Sequence, residues 1–218
     1  LAERLRHAQP HPASGEALVF EPGADGLLSA TLGGRRLSSA RRGREEARRL
    51  AEGVDPSEVA SACVIGFGLG HHVRALHERM GTKSCVICLE TDLGLLRAVL
   101  ERVDHSAWLA LGRCVIATDP EDAAGLTRQL KGLDGLLAIG VKIVEHPASK
   151  ARLAEAGTAF GRTVSEVVRC TRTHVVTTLV HAPVTLRNML MNADRYATSA
   201  GITALKDACK GSPAVTVA

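Results

Sequence analysis

Aromatic side chains are scarce in this 218-residue chain: Phe20, Phe67, Trp108, Phe160 and Tyr196 are the whole set. So few rings cannot interleave with basic residues into a stacking platform, and nucleic acid is not expected as a partner. No apolar stretch approaches the roughly 20 residues needed to cross a bilayer. The first residues also lack the apolar core and cleavage pattern of a signal peptide. Together these absences read as a cytoplasmic chain without a membrane partner. Excess charge is modest, a formal +4, and it gathers in Arg35, Arg36, Arg41, Arg42, Arg44, Arg48 and Arg49. Glu45 and Glu46 interrupt that run, the alternation of a solvated helix face.

Metal and redox chemistry also lack a framework. Cys63, Cys85, Cys88 and Cys114 fall in apolar runs, where a thiol behaves as a small hydrophobe. Cys85 and Cys88 spell C-x-x-C, but residues three apart on a strand point to opposite faces, so they share neither a metal nor a disulfide. His174 and His181 stand seven apart on a helical stretch without a third ligand. They read as partly buried helix residues, and no metal site is expected.

What the chain does have is an alternation of strands and helices. An apolar content of 45% supports a substantial core. Residues 1–40 read as short β structure: Ala17–Phe20, a turn at Gly23–Gly26, Leu27–Leu32, and a Gly33-Gly34 reversal into Arg35–Ser38. A charged helix follows over Arg41–Glu52, ended by Gly53. From Ser61 the elements are Cys63–Ile65, His71–Met80, Cys85–Leu89, Asp92–Val103, Cys114–Ala117, Pro120–Lys131 and the apolar run Leu136–Val144. Strands that are apolar throughout belong to a parallel sheet covered on both faces.

Beyond His146-Pro147, apolar positions at Leu153, Ala156, Phe160, Val164, Val167, Thr171, Val175 and Leu179 mark a long helix. Pro183 is expected to interrupt it, with a second helix over Val184–Tyr196. The expected fold is thus α/β, a Rossmann-like doubly wound parallel sheet with an N-terminal β-hairpin arm and a C-terminal helical connector. Its segments are 1–58 (arm and charged helix), 59–148 (Rossmann-like domain), 149–210 (connector) and 211–218. The last segment reads as the first strand of a following domain, because Ala214–Ala218 is an apolar strand begun and not continued. The chain therefore reads as an excised piece of a longer protein.

The candidate site is the glycine turn between the first parallel strand and its helix. Gly66, Gly68 and Gly70 let the backbone turn sharply and present its amides, while Glu90 ends the next strand twenty positions after Gly70, where an acid can accept from ribose hydroxyls. The third glycine of a dinucleotide fingerprint falls at position 71, which is His71. The alternate-glycine form is closer to the S-adenosylmethionine loop of Rossmann-like methyltransferases, although Val64 stands where their acidic residue usually lies. A nucleotide or an S-adenosylmethionine-like molecule is the candidate ligand. Asp119 is expected to join this crevice. His71 and His72 read as solvent-facing residues of a first turn, and His146-Pro147 as the rim of the same crevice. Asn188 and Asn192, four apart beside Leu186 and Leu190, present an amide edge suited to docking a neighbouring domain. No catalytic nucleophile can be assembled from these residues.

The order of these features resembles a known family. The hairpin and Arg/Glu-rich helix, Val64-Ile-Gly-Phe-Gly-Leu-Gly70-His-His, Cys88-Leu-Glu-Thr-Asp92, Asp119-Pro-Glu-Asp122, Val144-Glu-His-Pro-Ala-Ser149, Arg187-Asn188-x-x-x-Asn192 and Gly211-Ser-Pro-Ala-Val-Thr-Val-Ala218 follow one another as in the N-terminal region of the bacterial motility accessory factor family. The resemblance implies an adjoining domain related to archaeal 6-hydroxymethylpterin pyrophosphokinase. It also implies transfer of nonulosonic, sialic-acid-like sugars to flagellin or another acceptor protein. The chemistry would belong to the following transferase domain of the same chain, which opens with a strand and a Gly-Pro-Ser-Leu loop absent from this sequence. This region would then be an accessory scaffold, non-catalytic on its own. The chain departs from the family at Ala40-Arg-Arg-Gly-Arg44, where a Tyr-Asp-Pro run is usual, and at His181-Ala-Pro-Val, where an aromatic-rich helix is usual. The alternative is an S-adenosylmethionine- or nucleotide-binding, methyltransferase-like enzyme domain.

Overall fold

The computed structural model describes residues 1–201 and divides into two compact units, Leu1–Val175 and Val176–Ala218. The first unit opens with a helix, α1 (Ala2–His7), in a region where the sequence predicts only β structure. Its antiparallel sheet comprises β1 (Leu18–Pro22), β2 (Leu28–Leu32) and β3 (Arg35–Arg36), followed by the charged helix α2 (Gly43–Glu52). The arginines of α2 pair along the helix, Arg48 with Glu52 at 2.8 Å and Arg49 with Glu45 at 3.3 Å.

The parallel sheet has the order β6-β5-β4-β7, with β4 (Ser61–Ile65), β5 (Cys85–Leu89), β6 (Cys114–Ala117) and β7 (Val141–Glu145). Connecting them are α3 (His71–Met80), α4 (Leu93–Leu100), α5 (Ser106–Leu109), α6 (Ala123–Gln129) and α7 (Asp134–Ile139). The chain runs outward from β4 to β6, then returns to place β7 on the other side of β4. That reversal makes the gap between β4 and β7 the switch point of the sheet.

Alternate residues of the central strands serve different cores. Ala62, Val64, Val86 and Cys88 pack with α3, α4 and the hairpin. Cys63, Ile65, Cys85, Ile87 and Leu89 pack on the opposite side with Leu126, Leu137, Phe160 and Val164. Cys85 and Cys88 therefore lie in different cores, as their spacing predicts. Burial drives the thiols up, Cys63 to about 12 and Cys85 to about 11, so they are inert hydrophobes.

Two boundaries correct the sequence reading. The apolar run Leu136–Val144 is not one strand: α7 takes residues 134–139, Gly140 ends it, and β7 starts at Val141. A short apolar run does not distinguish helix from strand by periodicity. Pro183 does not interrupt the long helix either. After α8 (Pro147–Lys150), α9 runs unbroken over Ala154–Met191, and α10 (Ala193–Thr198) follows Asn192. A proline removes one backbone bond from a helix, and at an exposed position the freed carbonyl is hydrated. The predicted strand at 214–218 lies outside the described residues.

The arm is tied to the sheet domain by polar contacts. The Asp92 carboxylate caps α4 by accepting from the Leu95 amide at 2.9 Å, and it also accepts from the Ala13 amide at 2.9 Å. Arg97 donates to the carbonyls of Arg6 and Ala8 at 2.8 and 2.7 Å. Asp92→Ala leaves two backbone donors without their acceptor and is expected to destabilise the unit by about 2 kcal/mol. Asp92→Asn, which keeps one carbonyl oxygen, should cost about half as much. Urea midpoints of the two variants check this.

Candidate functional site

The loop from β4 to α3 has the shape of a phosphate cradle. Gly66, Gly68 and Gly70 have φ of 102°, 50° and 77°, a region other residues rarely adopt. Each glycine is faced by a side chain of the protein itself. A Cβ at Gly66 would overlap Ser149, one at Gly68 would come within 2.7 Å of the His146 ring, and one at Gly70 within 2.5 Å of His105 and 2.8 Å of Phe67. The close approach that the glycines permit is made by the chain's own residues.

Glu90 meets the loop, as the strand–turn–helix pattern predicts. It is fully buried at the end of β5, and one carboxylate oxygen accepts from the Phe67 amide at 3.3 Å while the other accepts from the Asp92 amide at 3.1 Å. Arg152, between α8 and α9, closes on the same carboxylate with both arms of its guanidinium, at 2.8 and 2.7 Å. Gly66, Gly68, Gly70 and Glu90 thus converge at the C-terminal edge of the sheet, and both oxygens of Glu90 are engaged inside the protein. Asp119 is exposed two residues after β6, where it accepts from the Glu121 amide at 3.0 Å. Among the described residues no hydrogen bond joins it to the glycine loop.

Four buried histidines fasten this edge. His71 donates from Nε2 to the Leu28 carbonyl at 2.8 Å, His72 to Gly66 at 2.9 Å and His105 to Leu69 at 2.9 Å. His105 Nδ1 accepts from the Trp108 indole at 3.1 Å, which fixes its tautomer. His146 Nδ1 pairs with the Ser149 hydroxyl at 2.9 Å, and its ring stacks on His72 with centroids 4.0 Å apart. Burial holds all four below the usual histidine range. His72 lies well below it, with His146 adding to the effect, and His146 falls to about 4, helped by the Arg152 charge.

The sequence reading that placed His71 and His72 in solvent is therefore corrected. Leu28 of the arm covers His71, and the Gly66 loop and the His146 ring cover His72. His105, Ser149 and Arg152 carry no spacing signature that would have singled them out. The one available signal was Glu90 itself, since a carboxylate ending an apolar strand needs a partner once buried.

Beside the filled cradle, at the switch point, a cavity of about 400 Å³ remains under α2. Leu37, Leu50, Leu69, His72 and His146 line it, whereas Gly66, Gly68, Gly70 and Glu90 do not. At its rim Glu46 accepts from the Ser39 amide at 2.7 Å. The lining joins apolar surface and neutral imidazoles to the charged side chains of Arg42, Arg49, Glu45, Glu46 and Glu145. Among the described residues no group of three His, Cys, Asp or Glu side chains is placed to hold a metal ion.

In the second unit, Asn188 is exposed, and the Asn192 side-chain amide donates to the Asn188 carbonyl at 2.7 Å. His174 and His181 are exposed, not partly buried, because the buried stripe of α9 ends at Thr171.

The sheet order, the glycine turn and the switch-point crevice define a Rossmann-like α/β domain. Among solved structures the chain is similar to the Maf glycosyltransferase from Magnetospirillum magneticum AMB-1, with a TM-score of 0.45 and 19% identity, over 76% of this chain and 32% of that one. This chain thus spans about a third of that protein's length. No protein-family model matches the chain, and no curated protein does.

Proposed function

We propose that this chain is the Rossmann-like accessory region of a motility-accessory-factor-like protein glycosyltransferase, a scaffold for the transferase domain without chemistry of its own. The observation that carries this reading is the Glu90–Arg152 pair. In a nucleotide-binding domain the strand-end acid is free for a ribose; here the partly buried guanidinium of Arg152 occupies it, and His146, His105 and Ser149 occupy the cradle. The fold's cofactor geometry has been turned to internal packing. The order of motifs from the hairpin to Asn192 supports the assignment to this family, and with it a cytoplasmic site of action on flagellin or another acceptor. Asn188 and Asn192 are then the amide edge that meets the adjoining domain.

The 400 Å³ cavity favours a second reading, an S-adenosylmethionine-binding enzyme whose ligand sits beside the cradle and not in it. Calorimetric titration separates the two. No saturable heat with S-adenosylmethionine is expected up to about 1 mM, and binding tighter than that would overturn the accessory reading. The 218-residue chain should also give no turnover with cytidine-monophosphate-linked nonulosonic acid and an acceptor protein. A chain extended through the next domain should give it.

A further inference from the structure

We propose that the groove between α2, α3 and the segment after α4 is an anion site that takes the diphosphate group of a small molecule. This groove encloses about 860 Å³, and the buried His71 and His105 are part of its lining; it shares His71 and Ala47 with the switch-point cavity and takes its other residues from elsewhere. The inference does not rest on the accessory reading, since binding here needs neither the glycine cradle nor any turnover.

Five arginines line the groove from three segments: Arg44 and Arg48 of α2, Arg74 and Arg79 of α3, and Arg102 after α4. Three carboxylates share it, Glu52, Glu78 and Asp104, and each already has a partner. Glu52 holds Arg48 at 2.8 Å and Glu78 holds Arg74 at 2.7 Å, both within their own helices. Asp104 accepts from the Ser106 amide and hydroxyl at 2.9 and 2.6 Å. Arg79 is turned to the Val54 carbonyl at 2.8 Å. The eight charged lining residues carry a net +2, of which Asp25, outside the lining but accepting from the Arg44 amide at 2.6 Å, offsets a part.

Among the described residues three of the five, Arg44, Arg79 and Arg102, have no carboxylate partner within ion-pair distance, and with Arg79 held at the Val54 carbonyl it is Arg44 and Arg102 that can turn to a ligand. Arg102 lies over the Phe20 ring, 5.3 Å from its centroid, which positions the guanidinium without neutralising it. Like charges gathered across one groove repel unless an anion lies between them. The planar donor fork of arginine matches phosphate oxygens two at a time. A single carboxylate would satisfy one fork. A diphosphate presents enough oxygens to engage Arg44 from α2 and Arg102 from the segment after α4. The volume also leaves room for an organic group esterified to the phosphate.

The test is calorimetric titration of the whole chain at low salt with inorganic pyrophosphate, and separately with a nucleoside diphosphate. Fluorescence of Trp108 reports the location, because this single tryptophan donates to His105 in the groove lining. Saturable binding of pyrophosphate is expected, with a change in Trp108 emission and a loss of affinity of about tenfold or more in the Arg44→Ala/Arg102→Ala double variant. Both arginines are exposed, so the variant should melt like the parent. Arg162→Ala, an exposed arginine of α9, should bind as the parent does. Equal affinity for the two probes identifies phosphate alone as the ligand, and tighter binding of the nucleoside diphosphate identifies an ester; either supports the proposal. Absence of saturable binding to about 5 mM, or a double variant that binds like the parent, overturns it. So does binding of an oligoribonucleotide that strengthens with length while pyrophosphate stays unbound.

Discussion

Replacing Arg152 by methionine should lower the stability of the first unit by about 3–5 kcal/mol, a large part of what a domain of this size possesses. The carboxylate of Glu90 is fully buried and receives two backbone amides and the Arg152 fork. Taking the guanidinium away leaves a desolvated charge with half its partners, and the fold must either admit water or protonate the acid. The pair itself gains little over a neutral core, because two ions were removed from water to make it. Adding Glu90→Gln to Arg152→Met removes the stranded charge and should restore about half the loss, Gln being an imperfect acceptor for the two amides. Urea midpoints of the three proteins decide the matter. If the Arg152→Met protein unfolds within about 1 kcal/mol of the parent, the pair does not hold the cradle closed.

Acid should weaken the same edge. His146 is held neutral by burial and by Arg152, down to about 4. In the unfolded chain its imidazole takes a proton near pH 6.5. Between those values the unfolded state binds the proton and the folded state does not, so stability falls as pH falls. The contribution is complete above pH 6.5 and is lost as the pH drops toward 4, about 3 kcal/mol for this residue. His71, His72 and His105 are shifted in the same direction by burial and deepen the slope. A urea midpoint that drops markedly between pH 7.5 and pH 5, with a shallower drop in His146→Leu, is the expected result. A midpoint unchanged over that interval would mean that these rings are hydrated.

The two effects bear on what the sequence can disclose. β4 and β5 are legible because both of their faces are buried, so their apolar runs are unbroken, and the glycines between β4 and α3 can only be a tight turn. β7 is less legible because it is half exposed and adjoins the apolar helix α7. At the site, Glu90 is readable as an acid closing a strand, whereas Arg152 follows it by 62 positions and no local pattern joins them. His71 and His72 look like surface residues because they are polar side chains opening a helix, where exposure is the usual outcome. The partner of His71 is Leu28, which precedes it by 43 positions, and that of His72 is the ring of His146, which follows it by 74. In a glycine loop of this kind Gly68→Val is the natural probe of ligand binding. The structure makes it a probe of folding, since a side chain there would strike His146.

The segment before β1 sets an order of events. Ala13 precedes Asp92 by 79 positions, Ala8 precedes Arg97 by 89, and Arg4 precedes Thr118, to which it donates at 2.7 Å, by 114. The main chain at His11 also passes so close over α4 that only a glycine fits at position 94. During synthesis those early residues must wait for α4 and β6 before they find partners, and closing loops of that length is slow. The hairpin and α2 can form at once from local contacts, but the tether beneath them closes only after half the chain has appeared. A nascent chain would therefore carry its arm loose over an unfinished sheet, which is when its apolar edges are most exposed to other chains.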